Sequence, residues 1–411
     1  MLGGERLKVG WLSASPTAQT GYGKQTLEVC SRLLRRHEVT CIGQVGEPIV
    51  WGQRQKVSTV NGDLWVLSLS EPAADLINRL YLPEFKFDVM IGFMDAFGLE
   101  FLNDAHVPCC FWIPIDGPFT DKWRNFMRNA YRVLAYSQFG YRELLKWYPE
   151  GKVSYIPHGM DTSVFKPLSE EDRLLARVEL EEERGIPRNA FLAVHVGANV
   201  GPRKCIPLLM DTWSRFAHGR NAYLYVHTNA YSVFPRGYDL ISWRGMVKAD
   251  KNVVFPLYDP ILKPTPDLEL ARLYGAADLY VSDSVAEGFG LPLLEAMSCG
   301  VPCVAPRNST QVELIEGRGW LVENVPEDDF YEVPVYVPLL TRYPAPSQRS
   351  LLEKLEEAYE NPDQREKYGG ACREFALRYS WENVMPLWYR FLEQVESELT
   401  LFKELEAGLK A

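Results

Sequence analysis

Leu279-Tyr280-Val281-Ser282-Asp283-Ser284-Val285-Ala286-Glu287-Gly288-Phe289-Gly290-Leu291-Pro292-Leu293-Leu294-Glu295-Ala296-Met297-Ser298-Cys299-Gly300-Val301-Pro302-Cys303-Val304-Ala305 is the stretch from which the fold can be read. Leu279 to Ser282 is a short apolar run with the composition of a buried strand. Two glycines follow, then Pro292 at the start of a helical segment that reaches Cys299 and is closed by Gly300, the usual punctuation of a helix. Val301 to Ala305 reads as the next strand. Strand, loop, helix and strand in this order make a βαβ unit of a parallel sheet, with the Glu287–Gly290 loop at the sheet's carboxyl edge.

The same alternation extends in both directions. Upstream, strands are expected at Leu7 to Ser13, Val39 to Gly43, Leu64 to Leu67, Val89 to Phe93, Cys109 to Ile113, Val133 to Tyr136 and Val153 to Ile156. A loop through Gly21 and Gly23 leads into a helix from Gln25 to Arg36. Phe165-Lys166-Pro167-Leu168-Ser169 has linker character, and a charged helix from Glu170 to Arg184 follows. The pattern then restarts with strands at Ala190 to Val196, Ala222 to His227 and Asn252 to Phe255, and helices at Ile206 to Ala217 and Pro266 to Ala276. Helices at Ser350 to Tyr359, Gln364 to Tyr379 and Trp381 to Leu405 end the chain. In the last of these, Trp381, Val384, Leu387, Trp388, Phe391 and Leu392 form one broad apolar face that must be buried. The expected fold class is therefore α/β with two doubly wound domains, residues 1–166 and 167–380, followed by a terminal helix, residues 381–411.

A chain of 411 residues exceeds what one core usually holds, and 46% apolar with 24% charged residues is an ordinary globular composition. The net charge of -10 argues against nucleic acid as a partner, because phosphate backbones are bound by basic surfaces. No apolar leader segment opens the sequence and no run is long enough to span a bilayer, so a cytoplasmic location is expected. The 8 cysteines have neither paired spacing nor nearby histidines, and read as reduced, mostly buried thiols.

The chemistry concentrates in the loop after Leu279–Ser282. Glycines just before a helix let the backbone approach a ligand, while the free N–H groups of the first turn favour an anion such as a diphosphate. Glu287 and Glu295 can accept hydrogen bonds from the hydroxyls of the same ligand, which suits a sugar. Here the sequence resembles the retaining glycosyltransferases of family four: the E-x7-E motif matches Glu287 and Glu295, and the residues from Glu287 through Ala305 follow the family pattern almost throughout. The resemblance is densest from Asn252 to Glu323 and includes the closing Tyr379-Ser380-Trp381.

This resemblance implies the GT-B fold, two facing Rossmann-like domains with a C-terminal helix crossing back to the first. It implies a nucleotide-sugar donor, UDP- or GDP-linked, bound mainly by the second domain, and an acceptor hydroxyl bound mainly by the first. In the family's terms Glu295 would meet the ribose and Glu287 the donor sugar, with Phe289, Gly290 and Leu291 offering backbone N–H groups. Glu313, in Thr310-Gln311-Val312-Glu313, matches a position that shapes the pocket, or is a solvated helix acid.

Arg203 and Lys204, in Val196-Gly197-Ala198-Asn199-Val200-Gly201-Pro202-Arg203-Lys204, are the cations needed against a leaving diphosphate. The family usually has arginine where Ala198 stands and glycine where Cys205 stands. Gly21, Tyr22 and Gly23 form a turn that fails the triphosphate-loop pattern, since Ala18 and Gln25 replace its glycine and hydroxyl. In the family this turn approaches the donor phosphates. Asp116, in Ile113-Pro114-Ile115-Asp116-Gly117, is a candidate contact to donor sugar or acceptor, and Asp95 a weaker one that could equally be a structural cap. His158, in Pro157-His158-Gly159-Met160, reads as structural.

No metal-holding D-x-D pair is present, so metal independence is expected, and no cofactor beyond the nucleotide-sugar co-substrate. Arg124, Arg128 and Arg132 recur every four residues, a solvated helix face or a weak peripheral contact to an anionic membrane. The implied activity is a retaining hexosyltransferase in carbohydrate biosynthesis, with a carbohydrate, glycolipid or other hydroxyl acceptor. A disaccharide synthase or phosphorylase of the same fold, a non-catalytic sugar-nucleotide-binding protein and a nucleotide-sugar epimerase stay open. Donor base and sugar, acceptor, linkage and oligomeric state have no sequence signature.

Overall fold

The computed structural model describes residues 6–43, 54–68, 73–231, 237–325, 331–336 and 339–410. They form two compact units. The first takes the chain up to Ile115, Phe119–Gly159 and the chain from Trp381 onward; the second takes Asp116–Pro118 and Met160–Ser380.

The first unit is an eight-stranded sheet of β1 (Lys8–Ser13), β2 (Glu38–Gly43), β3 (Arg54–Thr59), β4 (Gly62–Ser68), β5 (Val89–Phe93), β6 (Cys109–Ile113), β7 (Arg132–Ala135) and β8 (Val153–Tyr155). Its order is β3-β4-β2-β1-β5-β6-β7-β8, parallel except for the β3–β4 hairpin. Strands β5 and β6 are buried along their whole length, as parallel strands covered on both faces must be. The core is aromatic. Trp11, Phe93, Trp112 and Trp388 interlock, with Trp388 centred 5.3 Å from Trp11 and 4.9 Å from Trp112. Trp388 lies on the helix Trp381–Lys410, whose apolar face is thereby buried within this unit. Glu398 of the same helix accepts hydrogen bonds from Tyr131 and Arg132, and Tyr389 donates to the Arg32 carbonyl at 3.0 Å.

The second unit is a six-stranded parallel sheet of β9 (Phe191–Val196), β10 (Ala222–His227), β11 (Val253–Val254), β12 (Leu279–Val281), β13 (Cys303–Pro306) and β14 (Trp320–Val322), in the order β11-β10-β9-β12-β13-β14. An antiparallel hairpin, β15 (Tyr331–Tyr336) and β16 (Leu339–Tyr343), follows in the chain as a separate two-stranded sheet. The helix Glu170–Arg184 starts on a Ser169 cap and ends on Gly185 in a left-handed conformation. It is tied to the sheet by Arg177, which donates to the carbonyls of Ala276 and Ala190 and to Asp278. All 8 cysteines are buried and unbridged.

Candidate functional site

In a doubly wound sheet, ligands bind at the carboxyl ends of the strands where the strand order reverses. In the second unit the chain runs outward from β9 through β10 and β11, then returns to β9's other side with β12. The reversal therefore lies between β9 and β12. The loop after β9 carries Arg203 and Lys204, and the loop after β12 carries Glu287.

These two loops are joined by hydrogen bonds. The Val285 N–H donates to the Arg203 carbonyl at 2.9 Å, and the Ser284 hydroxyl donates to the same oxygen at 3.2 Å. Arg203 Nη1 returns a bond to the Ala286 carbonyl at 2.6 Å and reaches Glu287 Oε2 at 3.3 Å. Lys204 Nζ lies 2.5 Å from Glu287 Oε1. The three side chains are 12–21% exposed. Burial by itself would raise the Glu287 carboxyl, but Lys204 and Arg203 outweigh it and hold the group down at about 2. Burial likewise lowers Lys204, opposed by the attraction of Glu287. Arg203 is raised despite burial, because Glu287 and Asp116 both favour its charge.

Glu287 is also fixed through its backbone. Its N–H donates to Ser309 Oγ at 2.9 Å, and the Thr310 hydroxyl donates to the carbonyls of Glu287 and Gly288, both at 2.9 Å. Two non-glycine residues here have left-handed backbones, Ser309 at φ 43° and Cys205 at φ 47°. Such strain is tolerated where surrounding contacts over-determine the chain. At Cys205 a glycine would adopt the same backbone without this cost.

Gly290, at φ 90°, turns the loop into the helix Leu291–Ser298. The helix's first N–H groups thus open beside the Glu287 loop. A small cavity there is lined by Lys204, Glu287, Gly290, His195 and Gln311. His195 Nδ1 lies 2.9 Å from the Val281 carbonyl, which places the proton on Nδ1 and leaves Nε2 an acceptor. His195 Nε2 and Gln311 Oε1 are buried without hydrogen-bond partners among the described residues. Glu295 is buried on the same helix and accepts a bond from the Tyr274 hydroxyl at 3.1 Å. Phe289 is buried with its ring edge-on to Tyr379, Leu291 is half-buried, and Glu313 lies half-buried on the helix Ser309–Ile315.

Asp116 belongs to this cluster as well. Its Oδ1 accepts a hydrogen bond from the Tyr343 hydroxyl of β16 at 2.8 Å. Burial raises its carboxyl, with Arg203 and Tyr343 pulling the other way. Asp116, Arg203, Lys204 and Glu287, read from three separate passages of sequence, are thus brought together. Tyr343, His195, Gln311 and the buried Asp283 were not anticipated. Asp283 lies two residues past the end of β12 and could have been found from its place at the sheet edge, whereas Tyr343 lies in a hairpin with no pattern of its own.

The first unit has its own reversal, between β1 and β5, and there the structure joins two further candidates: the Tyr22 hydroxyl donates to Asp95 Oδ2 at 3.3 Å. Asp95 makes no side-chain cap to the turn after it. The glycine turn differs from the expectation. Gly21, Tyr22 and Gly23 are not a loop before a helix starting at Gln25 but the first turn of the helix Gly21–Leu33, because the Thr20 hydroxyl caps the Gly23 N–H at 3.0 Å. Gly23 is demanded by packing, since a Cβ there would lie 2.1 Å from the Ala18 carbonyl oxygen. His158 is buried against the rings of Phe93, Trp112 and Tyr136, and burial lowers it to about 3, the state of a neutral core histidine.

The arginine stripe is corrected too. The helix Asp121–Phe126 ends before Arg128, and Arg132 lies in β7 because Val133-Leu134-Ala135 is a buried strand run. Arg128 pairs with Glu100 and Asp104, and Arg132 with Glu398, so the three arginines share no helix face. Among the described residues no helix is long and apolar enough to cross a membrane, and no cluster of potential metal ligands occurs.

The fold is that of the GT-B glycosyltransferases. Sucrose-phosphate synthase from Thermosynechococcus elongatus is similar with a TM-score of 0.72 at 17% identity, covering 96% of this chain and 100% of that one. The Anabaena HepE protein, in complex with UDP-glucose, is similar with a TM-score of 0.70 at 17% identity over 95% of this chain and all (100%) of its own. In sequence, residues 192–333 match the family described as Glycosyl transferases group 1, so the second unit carries a glycosyltransferase group 1 domain. Among curated relatives, a probable sucrose-phosphate synthase of Thermosipho melanesiensis is 22% identical over 64% of this chain and 56% of its own length. The alpha-galactosylglucosyldiacylglycerol synthase of Streptococcus pneumoniae is 26% identical over 60% of this chain and 56% of its own. The chain thus spans about half the length of these relatives.

Proposed function

We propose that the protein is a retaining glycosyltransferase that moves a hexosyl group from a UDP- or GDP-sugar to an acceptor hydroxyl without a metal ion. The observation that carries this reading is the placement of Arg203 and Lys204, largely buried, against the Glu287 loop and the start of the helix Leu291–Ser298, in a glycosyltransferase group 1 domain. Breaking the bond between the anomeric carbon and the phosphate oxygen leaves negative charge on the diphosphate. Fixed cations and helix N–H groups in a water-poor site are what stabilise such charge. The acceptor oxygen attacks from the face the diphosphate leaves, and the departing phosphate oxygen takes the acceptor's proton. Glu295 is assigned to the ribose, and Phe289, Gly290, Leu291 and Glu313 to the donor. Asp116 is assigned to the sugar beside the reacting carbon, and Gly21, Tyr22, Gly23 and Asp95 to substrate binding by the first unit. The buried, unbridged thiols suit the cytoplasmic setting we expect.

Thermal shift with UDP-, GDP- and ADP-sugars tests the donor assignment, with Glu295→Ala as control. Stabilisation by one of them, lost in the variant, is expected, and no shift with any donor overturns it. The anomeric configuration of product by NMR tests retention, and a glycosylated Glu287 peptide would replace this mechanism by a double displacement. The sucrose-phosphate synthases among the similar proteins favour one second reading, a disaccharide-phosphate synthase. Turnover that requires a phosphorylated sugar as acceptor would select it.

A further inference from the structure

The cations assigned to the diphosphate already have an anion. Glu287 places one carboxylate oxygen 2.5 Å from Lys204 Nζ and the other 3.3 Å from Arg203 Nη1. Asp116 is a second carboxylate acting on Arg203. Two positive and two negative groups cancel, so a diphosphate approaching this cluster meets a neutral site whose two cations are already paired with Glu287. Buried cations without a partner are costly, and the pairing with Glu287 offsets that cost. A diphosphate offers the same cations more charge and more acceptor oxygens than one carboxylate can. The Glu287 backbone is held by Ser309 and Thr310, so its side chain can turn about its own bonds without moving the loop.

We propose that Glu287 is the resident counter-anion of Arg203 and Lys204, and that the donor's diphosphate displaces its carboxylate from both. The acid is then released toward the sugar only when a donor is in place. This rests on the function proposed above. It also makes a prediction opposite to that for an ordinary binding residue: removing the Glu287 charge tightens diphosphate binding.

Inorganic pyrophosphate, UDP and GDP serve as probes, titrated calorimetrically into the 411-residue chain and followed by thermal unfolding. Empty Glu287→Gln melts below wild type, binds pyrophosphate about tenfold tighter, and gains more melting temperature from it than wild type does. Glu287→Ala, which removes the charge without leaving an amide, must tighten binding too. Glu287→Asp keeps the charge and does not tighten, and Lys204→Met weakens binding. Equal or weaker binding by both charge-removing variants, with wild-type affinity measurable, overturns the exchange. If wild type binds neither UDP, GDP nor pyrophosphate, the glycosyltransferase reading itself fails and the exchange falls with it.

Discussion

Asp283 is the buried acid with the least compensation. It is fully buried at the end of β12, Gln348 Nε2 donates to its Oδ2 at 2.8 Å, and its Oδ1 has no partner among the described residues. Burial pushes its carboxyl from 3.8 up to about 8, against the pull of Gln348. A raised value means that the folded chain keeps a proton that the unfolded chain has already released. The stability this provides is complete below pH 3.8 and is lost as pH rises toward 8. Asp283→Asn, neutral throughout and still able to accept from Gln348, should therefore raise the unfolding free energy at pH 8 by about 2 kcal/mol and change little at pH 4. Urea unfolding at the two pH values checks this; an equal change at both would show that packing, not charge, governs the site. Glu287 has the opposite sign. Its contribution is present above its ordinary 4.5 and fades as pH falls toward about 2. The loss from Glu287→Gln, about 3 kcal/mol at neutral pH for a broken buried pair, should shrink steadily over that range. A penalty independent of pH would mean that the ion pairs contribute nothing.

At the scale of elements, the helix Gly21–Leu33 separates what periodicity reveals from what it hides. Its apolar positions were legible from Gln25 onward, but the start was not, because two glycines look like a loop. Glycine costs little in a first turn, where the N–H groups have no intrahelical partner anyway, and Thr20 caps one of them. Gly23→Ala should cost about 2 kcal/mol, because its Cβ would lie 2.1 and 2.8 Å from the Ala18 and Ser15 carbonyl oxygens, backbone atoms that cannot turn aside. Gly245 is the counterpart: it sits in the helix Leu240–Met246 with nothing within 4 Å of a Cβ, so Gly245→Ala should stabilise by about 0.5–1 kcal/mol. Thermal unfolding of the two variants separates them, and a loss in both would refute the steric argument. The strands of both sheets were legible because buried parallel strands are short apolar runs between turn residues. Strands β3 and β14 were missed: Arg54-Gln55-Lys56-Val57-Ser58-Thr59 is largely polar, although Asn61-Gly62 after it is a hairpin signal, and Trp320–Val322 is only three residues long. The acids and cations of the candidate site were legible from residue type and position after strands. Their pairing was not, because it depends on which loops the sheet order makes neighbours.

At the scale of the whole molecule, the two units differ in how the chain composes them. Apart from Asp116–Pro118, the second is one continuous segment, whereas the first combines the chain up to Ile115 and Phe119–Gly159 with the segment from Trp381. The closing helix is no accessory. Trp388 is fully buried among Trp11 and Trp112, while Val384, Phe391, Leu392 and Val395 are buried beside it, and Gln25 and Trp381 both pack on Gly159. Contacts spanning nearly the full sequence must form before the first core is complete, and the loop closure this requires offers no reward until they do. Trp388→Ala alone should cost about 3–5 kcal/mol. Ending the chain at Ser380 removes that whole face and should leave the first unit without a cooperative core, its tryptophans exposed to solvent. The second unit keeps its own core around Leu209, Trp213, Leu224 and Leu279 and should retain a melting transition that UDP or GDP still raises. Calorimetry and tryptophan fluorescence of the 1–380 chain decide the matter. Native-like burial of Trp11 and Trp112 in that chain would show that the first sheet closes without its final helix, and that the aromatic interlock is an addition to the core, not its keystone.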